Sequence, residues 1–438
     1  PSLFLCVEPY DMKYCFTLLL LLFAVIFKSE AQNNLTHLSP TPIDSISTSI
    51  FSKALESGYI DTRYFNFDLR YLIKYNQYEG FRTGFGGVTN SNVSDVIKFD
   101  GYVVYGFLDE AFKFRIGSSF NINKKSNTWL SFNYTDDLQE IGSSKFITDQ
   151  RFFQLFEPRL LNIESFYKHI TKALSIEREI TNNIYTKALF KTSFIDPKIN
   201  YSYNHETLGV FDTYRLSLLI IAAQINSSSS SKASLTVSKT TKLKGPKFTV
   251  QYTKSFSKLF KSNFSFSKID LRAIQLFNHS NNHITELVIR GGLARGDIPI
   301  SHTYHAYPNN VNKETILQRF SVAGTNSFET MYFNEFFSDK FVTLQLKHQF
   351  NPINISPWLK PEIVLIYRYA LGDMSHIERH EFINFNTLDK GYSEAGLEIN
   401  KLFFGFGLSA AYRHGAYHLS NFEDNFALKF TFNLNLNR

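Results

Sequence analysis

His376-Ile377-Glu378-Arg379-His380 sets two histidines four residues apart. On a helix that spacing puts both imidazoles on one face, where they could share a zinc ion. The zinc-protease pattern places its glutamate directly after the first histidine; here Glu378 comes one position later, in a stretch that reads as a loop. His302 and His305 follow Asp297 in a second long polar stretch, a spacing that loops often show. Ser338, Asp339 and His348 offer a hydroxyl, a carboxylate and an imidazole, the groups of nucleophilic hydrolysis. Side chains alternate across a strand, and Asp339 and His348 differ in parity, so one strand over 340–350 would point them to opposite faces. Glu335, Asp339 and Lys347 read instead as paired inner charges or turn residues. No phosphate loop or dinucleotide fingerprint occurs. The sequence predicts no catalytic residue, no cofactor and no metal site, and the chain reads as a non-enzyme.

A second set of charges is spread thinly: Asp68, Arg70, Lys74, Lys113, Arg115 and Lys429. Each stands between apolar residues at period two. Phe65, Phe67, Leu69, Tyr71, Ile73 and Tyr75 take one face of a strand, and Asn66, Asp68, Arg70, Lys74 and Asn76 the other. Ile97, Phe99, Val103, Tyr105 and Phe107 oppose Lys98, Asp100 and Tyr102; Phe112, Phe114, Ile116, Phe120 and Ile122 oppose Lys113, Arg115, Ser119 and Asn121. Near the end, Phe404, Phe406, Leu408, Ala410 and Tyr412 oppose Ser409 and Arg413, and Phe426 to Leu436 oppose Lys429, Thr431 and Asn433.

Further strands are expected near 80–89, 127–136, 170–180, 183–194, 212–224, 246–255, 262–277, 283–294, 330–338, 340–350, 361–371 and 390–400. Many run to ten residues, as a tilted membrane-spanning strand requires, whereas strands of soluble domains are mostly about five or six residues long. The fold expected is all-β: a transmembrane, antiparallel, up-and-down β-barrel of about 16 strands, within roughly 14 to 18. Its apolar face would meet lipid. The six charges above would face a polar lumen. Tyr78-Glu79-Gly80, Leu108-Asp109-Glu110 and Asn400-Lys401 read as tight turns, and 226–245, 296–328 and 372–390 as long loops. Such asymmetry separates the periplasmic and extracellular ends of a barrel. The run Ser227–Ser231 reads as flexible loop.

Export is written at the N-terminus. Met12-Lys13 precedes an apolar core from Phe16 to Phe27, and Ser29-Glu30-Ala31 sets small residues at −3 and −1 of a cut before Gln32. The expected organisation is 1–31 as upstream residues plus signal peptide, 32–62 as a polar periplasmic lead-in, and 63–438 as the barrel. Residues 1–11 precede the expected start methionine. The chain's two cysteines, Cys6 and Cys15, precede the cut, which excludes a disulfide framework from the mature chain. Aromatics make up 16% of the 438 residues, with 45 Phe and 24 Tyr, while the mean hydropathy is slightly below zero, as alternation demands and a helical membrane protein does not. The net charge of +7 comes from scattered residues without a long Lys/Arg run, which argues against nucleic acid and suits a solvated lumen and anionic lipopolysaccharide.

Two regions resemble a known family. Lys74-Tyr75-Asn76-Gln77-Tyr78-Glu79-Gly80-Phe81-Arg82 with Gly86-Gly87 is similar to the first hairpin of a Bacteroidetes outer-membrane family of unassigned role. Phe99-Asp100-Gly101-Tyr102 through Tyr105-Gly106-Phe107, with Phe112-Lys113-Phe114, resembles its next hairpin. Tyr332 to Phe341, Leu344 to Phe350, Tyr392 to Ile399 and Lys401-Leu402-Phe403 resemble its late blocks. Members often carry a carboxypeptidase-regulatory-like domain before the barrel, and no counterpart is read here. The resemblance implies location and fold. Arg290-Gly291-Gly292 is superficially similar to the Arg-Gly motif of outer-membrane assembly barrels, but reads better as a place where a strand bends or a loop approaches.

Three functional expectations follow. The first is a pore or solute-permeability role through the charged lumen. The second is a non-transporting barrel that scaffolds a surface or periplasmic complex, with 296–328 as its contact surface. The third, least favoured, is an outer-membrane hydrolase. Expected partners are outer-membrane lipid and lipopolysaccharide, the barrel-assembly machinery during biogenesis, and an unidentified protein.

Overall fold

Alternating residues make long strands here because each strand has one face for the interior and one for the outside. The computed structural model describes residue 54 and residues 57–142, 145–149, 151, 158–226, 245–279, 283–356, 359–403 and 405–432. The expected signal peptide, the lead-in to residue 53, the run Ser227–Ser231, Phe404 and the last residues from 433 lie outside these.

The sheet begins with β1 (Tyr59–Asp61) against β2 (Phe65–Asp68). A 3-10 turn at Leu69–Tyr71 leads into β3 (Ile73–Asn76), and β4 (Gly80–Thr89) pairs with both β2 and β3. The meander continues through β5 (Ile97–Gly106), β6 (Ala111–Asn123), β7 (Thr128–Glu140), β8 (Phe166–Thr181) and β9 (Ile184–Pro197). β10 (Ser202–His205) and β11 (Gly209–Phe211) form a separate hairpin. The wall resumes with β12 (Tyr214–Asn226), β13 (Lys247–Ser255), β14 (Phe266–Asn278) and β15 (Ile284–Gly296). Between β15 and the next wall strand lie three short strands: β16 (Pro308–Asn310), β17 (Ser321–Val322) and β18 (Phe328–Tyr332). Then come β19 (Lys340–Gln349), β20 (Glu362–Asp373), β21 (His380–Glu381), β22 (Tyr392–Phe403), β23 (Phe406–Gly415) and β24 (Phe426–Phe432). One 19-stranded sheet results, and its neighbouring wall strands pair antiparallel.

Registers are long. β14 and β15 pair through 13 successive positions. Outward residues such as Phe112, Ile116, Ile122, Leu271 and Leu365 remain exposed, between 48% and 67%. Inward residues at the alternate parity, such as Lys113, Arg368, Arg413 and Lys429, are at most 3% exposed.

The sheet curls around its inward-facing segments. Residues 297–339 touch β24 through Lys429, β22 through Glu394, β15 at Gly292, and β8 through Phe166. β8 and β24 are ten strand spacings apart along the sheet. Laid flat they would be separated by roughly 48 Å. Glu329 meets Lys429 of β24 and Phe333, four residues on, packs with Phe166 of β8, so the wall is strongly curved. Among the described residues β24 ends on a short parallel bridge to β17, and no ladder joins it to β1, β2 or β3.

Four expectations need correction. Asp68 accepts the Arg70 amide at 3.0 Å and caps the turn at Leu69–Tyr71, so the first strand is broken and Tyr71 turns inward, stacked at 4.3 Å on Tyr102. The strand expected over 330–338 belongs to the inner segment, where β18 pairs in parallel with β16. The turn expected at Asn400-Lys401 lies further on, because a register shift between Ile399 and Phe403 lets β22 run to Phe403. The tight turns at 78–80 and 108–110 lie at the same end of the wall as the long connections 297–339 and 374–391, so turn length alone does not separate the ends.

Gly292 marks a close approach of the inner segment to β15. A Cβ there would meet the Tyr304 ring at 2.3 Å, whereas a Cβ on Gly291 would find nothing nearer than 3.8 Å. Gly292→Ala should therefore destabilise the fold by about 1–3 kcal/mol, and Gly291→Ala by less than about 1 kcal/mol. Urea unfolding of the two variants in detergent checks the difference; equal losses would contradict the packing.

Candidate functional site

The interior holds two regions: a tightly filled half and a polar cavity. The filled half is built on buried charge. Glu329 and Lys429 are each 1% exposed and lie 3.1 Å apart. Glu329 also accepts from Asn309 Nδ2 at 2.7 Å, Ser327 Oγ at 2.8 Å and the Gly324 amide at 3.1 Å. Arg368 on β20 and Glu394 on β22 are directly cross-strand and pair at 2.5 Å with almost no exposure. Glu394 then accepts the Thr330 amide at 2.7 Å and its hydroxyl at 2.6 Å. Arg413 on β23 reaches Glu335 at 2.7 Å and lies 4.8 Å from the Tyr392 ring centroid. A buried charge is costly unless paired and hydrogen-bonded, and here each carboxylate has several partners.

The connection 141–165 contributes to the same filling. Arg159 pairs with Glu140 at 2.5 Å, donates to Pro308 O at 3.0 Å and stacks 3.7 Å from the Tyr307 ring centroid. Asn162 donates to Asn309 at 2.8 Å. His305 is buried, and burial pushes its imidazole down to about 3, so it is neutral and its Nε2 accepts the Asn334 amide at 3.2 Å.

Between this filling and the wall from β3 to β9 lies a cavity of about 840 Å³. Eight Lys or Arg residues line it against four Asp or Glu, and with Asp68 and Asp100 behind Arg70 and Arg115 the excess of positive charge is modest. Some are internally paired. Arg82 holds Asp137 through two bonds of 2.7 and 2.9 Å, and Lys187 holds Glu177 at 2.8 Å.

All six predicted inner charges face inward, but they do not share one site. Arg70, Lys74 and Arg115 line the cavity, Arg115 pairing with Asp100 at 3.1 Å. Asp68 is buried between Arg70 at 2.6 Å and Arg151 at 2.8 Å. Lys113 is held by Glu79 at 2.8 Å and Asp109 at 2.6 Å. Lys429 lies apart, in the filled half. Of the inner charges read outside this set, Glu335 pairs with Arg413, Lys347 donates to Thr325 O, and Asp339 accepts the Ser375 amide at 2.9 Å.

The other candidates separate. Asp339 and His348 lie near opposite ends of β19, roughly 30 Å apart at strand rise. His376 is exposed on Glu378, while His380 is buried and 3.0 Å from the Tyr201 hydroxyl. His302 contacts Ser301, and Asp297 pairs with Arg379 at 3.0 Å. Among the described residues no group of three His, Cys, Asp or Glu residues is placed to hold a metal ion.

Arg368 and Glu394 were legible in principle, since both sit at inward parity on expected strands. Glu329 carried no such signal. It stands at the junction of the expected loop 296–328 and the expected strand 330–338, and within that loop Ile298, Ile300, Tyr304, Ala306, Val311 and Phe328 are buried. The expected contact surface at 296–328 is thus largely interior, with Leu317 at its exposed tip, 83% accessible.

The crystal structure of BamA from Haemophilus ducreyi lacking POTRA domains 1–3 superposes with a TM-score of 0.52 at 9% identity, over 82% of this chain and 68% of that one. In fold, this chain is similar to BamA. CdiB from Acinetobacter baumannii gives 0.41 at 12% identity, over 81% of this chain and 57% of CdiB. No family model and no curated protein matches the sequence.

Removing one partner of the buried pair should release the filling. Glu329→Gln leaves Lys429 buried without its counter-charge and is expected to cost about 3–5 kcal/mol, whereas a Glu329→Met, Lys429→Met double variant should recover much of that loss. Limited proteolysis across 312–320 reads it. Cleavage should rise in the single variant and fall back in the double; equal cleavage in all forms would contradict the assignment.

Proposed function

We propose that this chain is a bacterial outer-membrane β-barrel whose partly filled, cation-lined lumen passes small, preferentially anionic solutes. Closure would join β24 to the β1–β3 edge, giving about 16 staves. The end that carries 297–339 and 374–391 would face outward from the cell. The protein would be exported by the N-terminal signal peptide and would not be an enzyme, and the Bacteroidetes family of unassigned role stays the proposed kinship.

One observation carries the reading: a wall apolar outside and charged inside encloses a polar cavity of about 840 Å³ with excess positive charge. An exposed apolar face of this extent would be an aggregation liability in water and is what hydrocarbon requires. The filling narrows any passage, so conductance should be small. The scaffolding alternative has less support, because 296–328 offers chiefly its tip.

Planar bilayers test the proposal. The reconstituted full chain should give small steps with anion preference, and Lys74→Glu combined with Arg115→Glu should weaken or invert that preference. A sealed bilayer, or a preference unmoved by the charge reversals, would contradict it.

A further inference from the structure

The connection from Phe256 to Ser265 lays residues 256–262 on the outside of the wall, while Phe264 packs into the interior core. Ser217 stands at the outward parity of β12, yet it is fully buried because this connection covers it. Its hydroxyl donates to Leu259 O at 2.8 Å, its amide to Ser262 Oγ at 3.1 Å, and its carbonyl accepts the Phe256 amide at 3.0 Å. Lys258, Phe260 and Lys261 have φ of 70°, 49° and 64°. Residues with side chains rarely take this left-handed region, and they persist there only where surrounding contacts hold them.

That conformation lays Phe260 beside Phe190, ring centroids 5.9 Å apart, while leaving it 62% exposed. Phe260 thereby forms one lip of a groove of about 680 Å³ on the outer wall. Phe99, Ile116, Phe132, Leu174 and Phe190 complete its apolar lining. Ser118, small and outward, sits directly between Phe99 and Phe132 on the neighbouring strands and opens the notch.

Four cations surround this groove and the segment over it. Lys172 lines the groove itself; Arg215, Lys258 and Lys261 stand on β12 and the covering connection. All four are exposed, and among the described residues none has a carboxylate partner. Arg215, Lys258 and Lys261 stand toward the end where β12 begins and β13 finishes, and Lys172 stands further along β8, opposite Tyr134 at the middle of β7. An outward cation on a lipid-facing strand is unfavourable in hydrocarbon, whereas near the interface it attracts anionic headgroups.

We propose that this groove is a binding site for a phosphate-bearing, multiply acylated lipid of the surrounding leaflet. Acyl chains lie against Phe132, Leu174, Phe190 and Phe260, and phosphate meets Lys172, Lys258 and Lys261. The inference rests on the outer-membrane reading above, and commits to a lipid rather than a soluble anion because the groove beneath the cations is apolar.

Native mass spectrometry of the full chain in non-ionic detergent tests it, with bis-phosphorylated lipid A and the same lipid stripped of phosphate as probes. The phosphorylated form should bind in preference. Each of K172E, K258E and K261E should weaken binding by about fivefold, the effect of one basic residue near an anionic surface. F260E should weaken both lipids. Equal binding of the two lipids, or unchanged binding by the triple lysine variant, would overturn the site. Recovery in the outer-membrane fraction and heat-modifiable gel mobility report the barrel reading separately: a barrel that passes both yet binds neither lipid defeats this proposal alone.

Discussion

A carboxylate buried inside a sheet needs a cation, and Glu329 finds Lys429. Much of the interior is arranged around that requirement. Period-two strands force every second side chain inward, and in this chain those side chains include Arg368, Glu394, Arg413 and Lys429. Left facing an apolar core they would be prohibitively costly; left facing open water they would hold nothing in place. The segment 297–339 resolves this by bringing Glu329, Thr330 and Glu335 to them. The same contacts fix the path of the segment, so the charge pattern of β20 to β24 and the route of the filling are one problem with one solution.

The wall was largely legible in the sequence, because alternation is a local property. Strands expected near 80–89, 246–255 and 340–350 occur as Gly80–Thr89, Lys247–Ser255 and Lys340–Gln349. Lys113, Arg115 and Lys429 stand at the inward parity of their strands, whereas Arg70 reaches the cavity from the 3-10 turn at Leu69–Tyr71 and not by strand alternation. Tyr71 was not legible, because Asp68 has two ways to satisfy itself, and a side chain that caps a turn ends a strand whatever the pattern says. Nor was the filling. Residues 297–339 mix polar and aromatic residues without a period, so nothing local tells an exposed loop from one folded inward; only partners distant in sequence decide it. Gly291 and Gly292 read as a place where a strand bends or a loop approaches; a loop does approach, and it brings Tyr304 to Gly292 alone.

Inside and outside of the wall differ in how charge is handled. Inside, most charges are paired at short range and serve position: Asp68 with Arg151, Arg82 with Asp137, Lys113 with Glu79. The cavity from β3 to β9 keeps the excess cations that a permeation role would use. Outside, charge is rare against the exposed aromatic and aliphatic face, which makes Lys172 conspicuous. The fold likeness to BamA concerns the architecture of the wall and leaves the chemistry of both faces particular to this chain.

The chain between β15 and β19 fills the inside of the curved wall and is held there by Glu329. Cysteine accessibility tests it most directly, since the chain's own cysteines, Cys6 and Cys15, precede the expected cleavage point. Met331 is fully buried and Leu317 is 83% exposed. In the purified, folded protein a membrane-impermeant maleimide should label Leu317→Cys rapidly and Met331→Cys scarcely at all, and adding Glu329→Gln should expose the second position. Rapid labelling of Met331→Cys with Glu329 intact would contradict the account.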